Sequence, residues 1–450
     1  MKRIPLLCIS IILTAGCSAK NYEVPQQGIL NEQQIEERWT VDRSWWTSYQ
    51  DKELDRVMEL AFTRNIDLAR SAIAVNKALF RARQLGAELV PAFSASADAS
   101  SRSNLESGND SRSFSTSLGL NYELDLWGRL RASASAQSWE YEATQQDLEA
   151  TRLTLINSVI NTYYNMAYLR EALENSRKNL ELYEHIHAVQ QDKFQAGKTD
   201  GLAIMQSEQS LLSQKNSIVS LEKQLAQQER TLRDLLAISP EEGLVLALPT
   251  LQDVVIPKVE LNVPLSALGY RPDVQAASSR LQKAFYSREA TELSLFPTVS
   301  LGSSLAASAS SIGNIFDAPS LSASLGLKLP FLDWNSMKWN IRISQQDFED
   351  SKLNFMKTVT TALNEVDLYH SQLESARLTL ENLEKKIIAD RKIAAYHKTR
   401  YELGAEELKD WLDALRTLNN SELAILEARY QVISSTNAVY ESLGGRFSPR

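Results

Sequence analysis

Apolar and polar residues alternate in two parts of the chain, one after Pro91 and the other after Pro297. A period of two is typical of β-strands that have one apolar and one polar face. A polar loop divides each part. We therefore predict two strands at about 91–127 and two more at about 297–331, each near the length of a membrane-spanning β-strand.

Very long helical segments follow the strands. No Gly or Pro occurs from residue 130 to 196 or from 331 to 403. Apolar residues recur there in steps of three, four and seven, which is coiled-coil spacing. At 1.5 Å per residue, each helix would extend on the order of 100 Å. A glycine turn, at Gly197 and at Gly404, is predicted to reverse the chain into a returning helix.

Matching motifs about 206 residues apart indicate an internal duplication. Asn65–Leu68 corresponds to Arg271–Val274, and Leu89–Pro91 corresponds to Leu295–Pro297. Each half is then one supersecondary unit that occurs twice. The predicted division is a first repeat at 51–239, a linker at 240–262, a second repeat at 263–443 and a C-terminal tail at 444–450.

The first residues have the three parts of a bacterial export signal, so 1–16 is the predicted signal peptide. The sequence Leu13–Cys17 resembles a lipobox, in which the signal is cut before a cysteine that then carries lipid. Cys8 lies inside the signal, so the mature chain would keep Cys17 alone and could not form an internal disulfide. The alternative is that Cys17 is an ordinary residue near a plain cleavage site. Residues 17–50 would form a lipidated N-terminal tether.

Composition narrows the function classes. An apolar content of 43% excludes a disordered chain, and a net charge of −8 disfavours nucleic acid as a partner. After the signal, no run of 18 apolar residues predicts a transmembrane helix. The mature chain is therefore either tethered to a membrane or crosses it as β-strands.

Four strands cannot close a barrel, and an open sheet edge in lipid would leave N–H and C=O groups without partners. The smallest closed membrane barrels have about 8 strands, so two, three or four copies would give 8, 12 or 16. The apolar set, which includes Leu120 and Leu325, would face lipid. The alternate set, which includes Asn121 and Ser324, would face water.

Short motifs over nearly the whole mature chain carry a resemblance to a known family. They are Trp45-Trp46, Asp51–Leu54, Asn65–Leu68, Leu124–Gly128, Arg271–Val274, Phe296-Pro297, Tyr401–Gly404 and Leu412–Ala414. They resemble the TolC/OprM outer-membrane factor family, most of all its lipoprotein branch. The resemblance implies an α+β membrane protein. It would be a homotrimer with a 12-stranded antiparallel transmembrane β-barrel continuous with a long periplasmic α-helical barrel. An equatorial belt would draw on residues 17–50, on 240–262 and on the C-terminus.

The function implied by this resemblance is the exit duct of a tripartite efflux pump in the bacterial outer membrane, anchored there through Cys17. Drugs or other toxic small molecules would leave the periplasm by passive conduction through a gated trimeric tube. The implied partners are outer-membrane lipid, a periplasmic adaptor (membrane fusion protein) and an inner-membrane transporter of the resistance-nodulation-division type. Two alternatives remain: an outer-membrane component of a protein-secretion system, and a lipid-tethered coiled-coil spacer.

The resemblance also implies a periplasmic gate at Asp410, Asp413 and Tyr401. Three chains would bring six carboxylates together at the narrowest point, and Tyr401 would tether the gate by a hydrogen bond. The alternative is a solvated acidic helix face on which Lys409 pairs with Glu406 or Asp413. The first repeat has Ala203 and Gln206 at the equivalent positions.

Neither an enzyme nor a cofactor is expected. Asp410 and Asp413 have no nucleophile, metal ligand or phosphate loop beside them in the sequence. The four histidines are too scattered for a zinc site, which needs three or four convergent ligands. The family implies instead that the hairpin tips, Gly197, Lys198, Gly404 and Ala405, contact the adaptor.

Overall fold

The computed structural model describes residues 39–103, 110–259 and 265–449. The predicted signal peptide and Cys17 lie outside these residues. The helices and strands, in chain order, are β1 (Trp39–Asp42), α1 (Lys52–Arg64), α2 (Ile66–Ala87), β2 (Ala92–Ser103), β3 (Asp110–Leu124), α3 (Arg129–Gln195), α4 (Gly201–Leu236), α5 (Pro272–Leu293), β4 (Thr298–Ala309), β5 (Ser320–Lys328), α6 (Trp334–Glu402), α7 (Leu408–Leu443) and β6 (Arg446–Pro449). Short 3₁₀ helices lie at Trp45–Tyr49, Leu265–Tyr270, Ile312–Asn314 and Pro330–Asp333.

The described chain forms two compact units. The first contains the described parts of 73–146 together with 275–358, and includes strands β2 to β5. The second contains the described parts of 27–72 and 147–274 together with 359–449, and includes the two hairpin turns. Most residues of the described chain are helical, as the sequence predicts.

Four antiparallel strands in the order β2-β3-β4-β5 form the sheet of the first unit. Leu120 lies opposite Phe93 and the next residue, Asn121, lies opposite Ala92, so the two side chains project from different faces. Leu325 and Ser324 alternate in the same way on β5, opposite Leu301 and Gly302. The predicted alternation of an apolar face with a face of small polar residues is confirmed.

Serine lies opposite glycine across the polar face of this sheet. Ser94 pairs with Gly119, and Ser300 pairs with Gly326. A Cβ at Gly119 would lie 2.8 Å from the Ser94 hydroxyl oxygen, closer than carbon and oxygen normally approach. A larger side chain at Gly119 would therefore require the Ser94 side chain to move.

The second unit has an apolar core in which the aromatic residues are almost fully enclosed. Trp45, Tyr163, Tyr164 and Tyr440 each have no more than 1% of their surface exposed. Asn437 lies within this core, and its side-chain oxygen accepts a hydrogen bond from the Tyr49 hydroxyl at 2.9 Å. The antiparallel pair β1–β6 joins the start and the end of the described chain.

The internal duplication is visible in the element bounds. Helix α5 begins 206 residues after α2 and both have 22 residues; α7 begins 207 residues after α4 and both have 36. Equivalent contacts also occur. The Asn65 side chain donates to the carbonyl of Leu235 at 2.9 Å, and Arg271 donates to the carbonyl of Ser442 at 2.8 Å.

Across residues 39–103, 110–259 and 265–449, none of the helices combines the length and the apolar character needed to cross a membrane.

Candidate gate at the helical hairpin tips

Both helical hairpins turn at a glycine with a left-handed backbone. Gly197 has φ +69° and Gly404 has φ +73°. The amides of Gly404 and Ala405 donate to the carbonyls of Tyr401 and Arg400 at 3.0 and 2.9 Å, which is the Schellman arrangement that ends a helix. A Cβ at Gly197 or Gly404 would meet no atom within 4 Å, so the backbone conformation rather than space favours glycine there.

Tyr401 connects the second hairpin to the first. Its hydroxyl oxygen accepts hydrogen bonds from Gln190 Nε2 and from Lys193 Nζ, each at 2.7 Å. The Lys193 ammonium also lies 4.6 Å from the centre of the Tyr401 ring, within range of a cation–π contact. The other stacking partner is Trp411, with ring centres 5.4 Å apart. We call this set, Tyr401 with Gln190, Lys193 and Trp411, the tyrosine latch.

An apolar cluster lies beside the tyrosine latch and also joins the two hairpins. Its buried members are Tyr183 and Ile186 of α3 with Leu408, Trp411, Leu412 and Leu415 of α7. Ala203 of the first hairpin packs against the same cluster. This cluster therefore positions the first turns of α7, the helix that carries the two aspartates.

Asp410 and Asp413 lie in the first two turns of α7. Asp410 is exposed and has no ion-pair partner among the residues that the structure describes. Asp413 is half-exposed and accepts a hydrogen bond from the Arg416 guanidinium at 2.7 Å. The two carboxylates are therefore unequal, because one of them has a cation beside it.

The ion pairs of Lys409 that belong to the alternative, a solvated acidic helix face, do not form among the described residues. Glu406 instead contacts His397 Nδ1 and Arg400 Nε, both at 2.7 Å, and Asp413 contacts Arg416. Within the described chain Lys409 forms neither of the pairs that its spacing allows. The reason is that several residues lie three or four positions from each carboxylate, and packing rather than spacing selects among them.

The remaining predicted site residues lie at exposed positions. Gly197, Lys198, Gly404 and Ala405 are all exposed at the two turns. Large apolar side chains are exposed next to them, with Leu403 at 78%. On the first hairpin, the equivalent of Asp410 is Ala203, whose backbone N–H donates a hydrogen bond to the Asp200 carboxylate at 3.2 Å. Asp200 thereby caps α4.

The described residues contain no group of three or more His, Cys, Asp or Glu side chains able to hold a metal ion. Two histidines of the hairpins have other partners. His187 contacts the Ser207 hydroxyl at 2.9 Å, and His397 contacts Glu406.

The model of the outer membrane efflux protein family matches this chain twice, over residues 57–237 and 263–445. The chain belongs to the outer membrane efflux protein family. The two matches coincide closely with the two repeats of this chain. The members of this family are outer membrane channels and not enzymes.

Several relatives span nearly the whole chain. An uncharacterised protein of Haemophilus influenzae is 39% identical over 99% of both chains. The toxin and drug export protein A of Aggregatibacter actinomycetemcomitans is 37% identical over 100% of this chain and 99% of its own. A crystal structure of CusC has a TM-score of 0.82 at 22% identity, over 95% of this chain and 99% of that one, which shows a shared efflux-channel fold.

Proposed function

We propose that this chain is the exit duct of a tripartite efflux pump and conducts small molecules, such as drugs or other toxic compounds, from the periplasm to the exterior. Family membership supports this function. One observation supports the proposal that the sheet crosses the membrane. The apolar face of the sheet is open, with Leu321, Leu325 and Leu327 exposed by 78, 72 and 63%. Side chains of this kind are stable in lipid but not in water.

The open edges of the sheet call for several copies of the chain, and the family resemblance implies that there are three. Strands β2 and β5 are its outer strands, and each has one side that pairs with no other strand of the described chain. Copies that join β5 to β2 would satisfy these groups, which lipid cannot do. We infer a trimeric 12-stranded β-barrel in the outer membrane, together with a long periplasmic α-helical barrel formed by the hairpins.

An equatorial region is also proposed, formed by residues 17–50, 240–262 and 444–450. The pairing of β1 with β6 supports it, as does the hydrogen bond that the Tyr440 hydroxyl donates to the carbonyl of Lys258 at 3.1 Å. Cys17 would carry the lipid that adds an anchor to the outer membrane.

The gate is proposed at Asp410, Asp413 and Tyr401. In a trimer the six carboxylates would form an acidic ring, and Arg416 would offset part of the charge at Asp413. The tyrosine latch would hold the second hairpin against the first in the closed state. Exposed aspartates at the narrowest point would attract cations and concentrate them at the pore entrance.

The hairpin tips are the proposed contact with the periplasmic adaptor, and the inner-membrane transporter of the resistance-nodulation-division type would complete the pump. Gly197, Lys198, Gly404 and Ala405 are exposed, and so are Phe194 and Leu403 beside them. Apolar side chains exposed at a helix end are available for a partner helix.

A second candidate function is toxin secretion. The relative named toxin and drug export protein A is 37% identical and supports an export role that is not limited to drugs. The same channel would then export protein toxins as well as small molecules.

The test is a deletion of the gene in its own host. Cells without the chain should accumulate a fluorescent efflux substrate and become more sensitive to drugs, and the wild-type chain should restore both. A control copy with Leu325→Arg should fail to restore efflux, because an arginine at mid-bilayer costs about 2–4 kcal/mol in a barrel. Unchanged accumulation together with loss of an extracellular toxin would favour secretion instead.

A further inference from the structure

A small pocket lies between the first hairpin and the linker that follows it. Its volume is about 190 Å³, which is below the roughly 300–1,000 Å³ of pockets that hold drug-sized molecules. Five apolar side chains line it, among them Leu244, Leu246 and Leu248 of the linker. The pocket therefore has room for a small ion that carries a short apolar group.

Arg233 lines this pocket from the last turn of α4. Its Nε atom is enclosed by the protein and has no hydrogen-bond partner among the described residues. Within the same part of the chain, its guanidinium forms no ion pair. An enclosed N–H group is normally matched by an acceptor, because leaving it unpaired costs free energy. The Arg233 side chain is therefore able to bind an acceptor that comes from outside the chain.

Arg170 of α3 is the second cation of the pocket. Its Nη2 atom donates to the carbonyls of Leu248 and Pro249 at 2.5 and 3.3 Å, and these two bonds hold the guanidinium beside the linker. Both bonds use the same nitrogen. The other two guanidinium nitrogens have no acceptor among the described residues, so they are free to donate. A planar guanidinium of this kind matches the two oxygens of a carboxylate.

The pocket is positively charged although the chain as a whole is acidic. Glu229 is its acidic side chain, so two positive charges, those of Arg170 and Arg233, and one negative charge leave a net charge of +1. The whole chain has a net charge of −8. Apolar walls keep water away from the charges, which strengthens their attraction for an anion. Glu229 has no ion pair with any described residue, and its charge opposes an incoming anion.

The second repeat indicates that packing of the hairpin does not require these charges. Tyr440 lies 207 residues after Arg233, and Thr436 lies 207 residues after Glu229. Tyr440 is 1% exposed, and its hydroxyl donates to the carbonyl of Lys258 at 3.1 Å. The equivalent position therefore holds an aromatic ring with a partner inside the chain. The charged side chains are thus a feature of the first repeat and not of the fold that the two repeats share.

We propose that this pocket is a binding site for a small carboxylate that carries a short apolar group. The guanidinium groups of Arg233 and Arg170 donate to the carboxylate oxygens, and the leucines of the linker contact the apolar part. Because Arg170 already holds the carbonyl of Leu248, a bound carboxylate connects the linker with both helices of the first hairpin. This site goes beyond the proposed transport function and does not depend on it.

Ligand-observed NMR of butyrate with the purified full-length chain in detergent micelles tests the site. Butyrate should bind to the wild-type chain, whereas butyramide, a neutral molecule of the same shape, should not. Arg233→Met should weaken butyrate binding roughly tenfold or more, because it removes a charged donor. Arg230→Met, at an exposed position of the same helix, is the matched control and should bind butyrate as the wild type does. Equal binding to the wild type and to Arg233→Met would show an adventitious interaction only and would overturn the proposal.

A second variant predicts a gain of affinity, which a misfolded chain could not show. Glu229→Gln keeps the size of the side chain and removes its negative charge, so butyrate should bind more tightly. Unchanged or weaker binding would contradict a carboxylate beside Glu229.

Inorganic phosphate distinguishes the class of anion. It should bind less tightly than butyrate, because it has no apolar part to contact the leucines, and tighter binding of phosphate would overturn the assignment to a carboxylate. Failure of butyrate to bind would overturn this site alone, since ion conduction by the same preparation tests the proposed channel separately.

Discussion

Removal of a single hydroxyl group should loosen the proposed gate. Tyr401→Phe removes the oxygen that accepts hydrogen bonds from Gln190 and Lys193, both at 2.7 Å, and keeps the ring that stacks on Trp411. A hydrogen bond from a neutral donor contributes about 0.5–1.5 kcal/mol, and one from a charged donor about 1.5–3 kcal/mol. Because Lys193 is partly exposed, solvent reduces the second contribution.

The expected loss is about 2 kcal/mol of closed-state stability, which corresponds to roughly a 30-fold change in the equilibrium between closed and open channels. Single-channel recording in planar bilayers measures this equilibrium as the ratio of open to closed time. Tyr401→Phe should raise that ratio. Lys193→Met should raise it too, and the double variant should do less than the sum of the two, since both substitutions remove the same bond.

The matched control is Tyr396→Phe, because Tyr396 is 56% exposed on the same helix and its hydroxyl has no hydrogen-bond partner among the described residues. Its open-to-closed ratio should equal that of the wild type. An unchanged ratio in Tyr401→Phe, or additive effects of Tyr401→Phe and Lys193→Met, would refute the role of the latch in closure.

Three further predictions concern the sheet, a helix end and the N-terminus. Leu325→Arg should destabilise the assembly by about 2–4 kcal/mol, whereas Ser324→Arg should be tolerated. Equal yields of oligomer from the two variants in detergent would contradict the assignment of the Leu325 face to lipid. Ala237 has φ +50°, so Ala237→Gly should raise the melting temperature by relieving about 1 kcal/mol of backbone strain. At the equivalent Gly444, a Cβ would lie 3.2 Å from the Tyr270 carbonyl oxygen, so Gly444→Ala should lower the melting temperature. Mass spectrometry of the mature N-terminus should find an acylated Cys17, and an unmodified cysteine would contradict this. Cys17→Ser should stay in the membrane fraction if it is exported, and a variant found only in the periplasm would contradict the membrane-spanning sheet.

The helices and strands could be predicted because the spacing of apolar residues along the chain follows the local backbone geometry. A side chain at every second position of a strand projects from the same face, so the alternation around Leu120 and Leu325 was readable without any knowledge of the neighbouring strands. The long helices were readable for a similar reason, since an uninterrupted stretch without Gly or Pro leaves no local signal to end them. The offset of about 206 residues between matching motifs then predicted which helices and strands of the two repeats correspond.

The partners in the candidate gate could not be predicted in the same way. Gln190 and Lys193 lie 211 and 208 residues from Tyr401, so their contact depends on how two hairpins pack and leaves no trace in local spacing. Arg416 lies three residues from Asp413, a spacing that predicts contact, yet Lys409 satisfies a helical spacing equally well. Glu406, whose spacing allows a pair with Lys409, is instead held between His397 and Arg400.

The charge of the proposed gate is tested most directly by single-channel recording of the purified protein, with cations added from the periplasmic side. We predict a small, cation-selective conductance that divalent or trivalent cations block, because multiply charged ions neutralise an acidic ring better than sodium does. Replacing Asp410 and Asp413 together with alanine should abolish the block, whereas replacing the exposed Glu402 and Glu407 should leave it. A protein that conducts no ions would contradict the channel, and a double aspartate variant with wild-type selectivity and block would show that these carboxylates are only a solvated helix face.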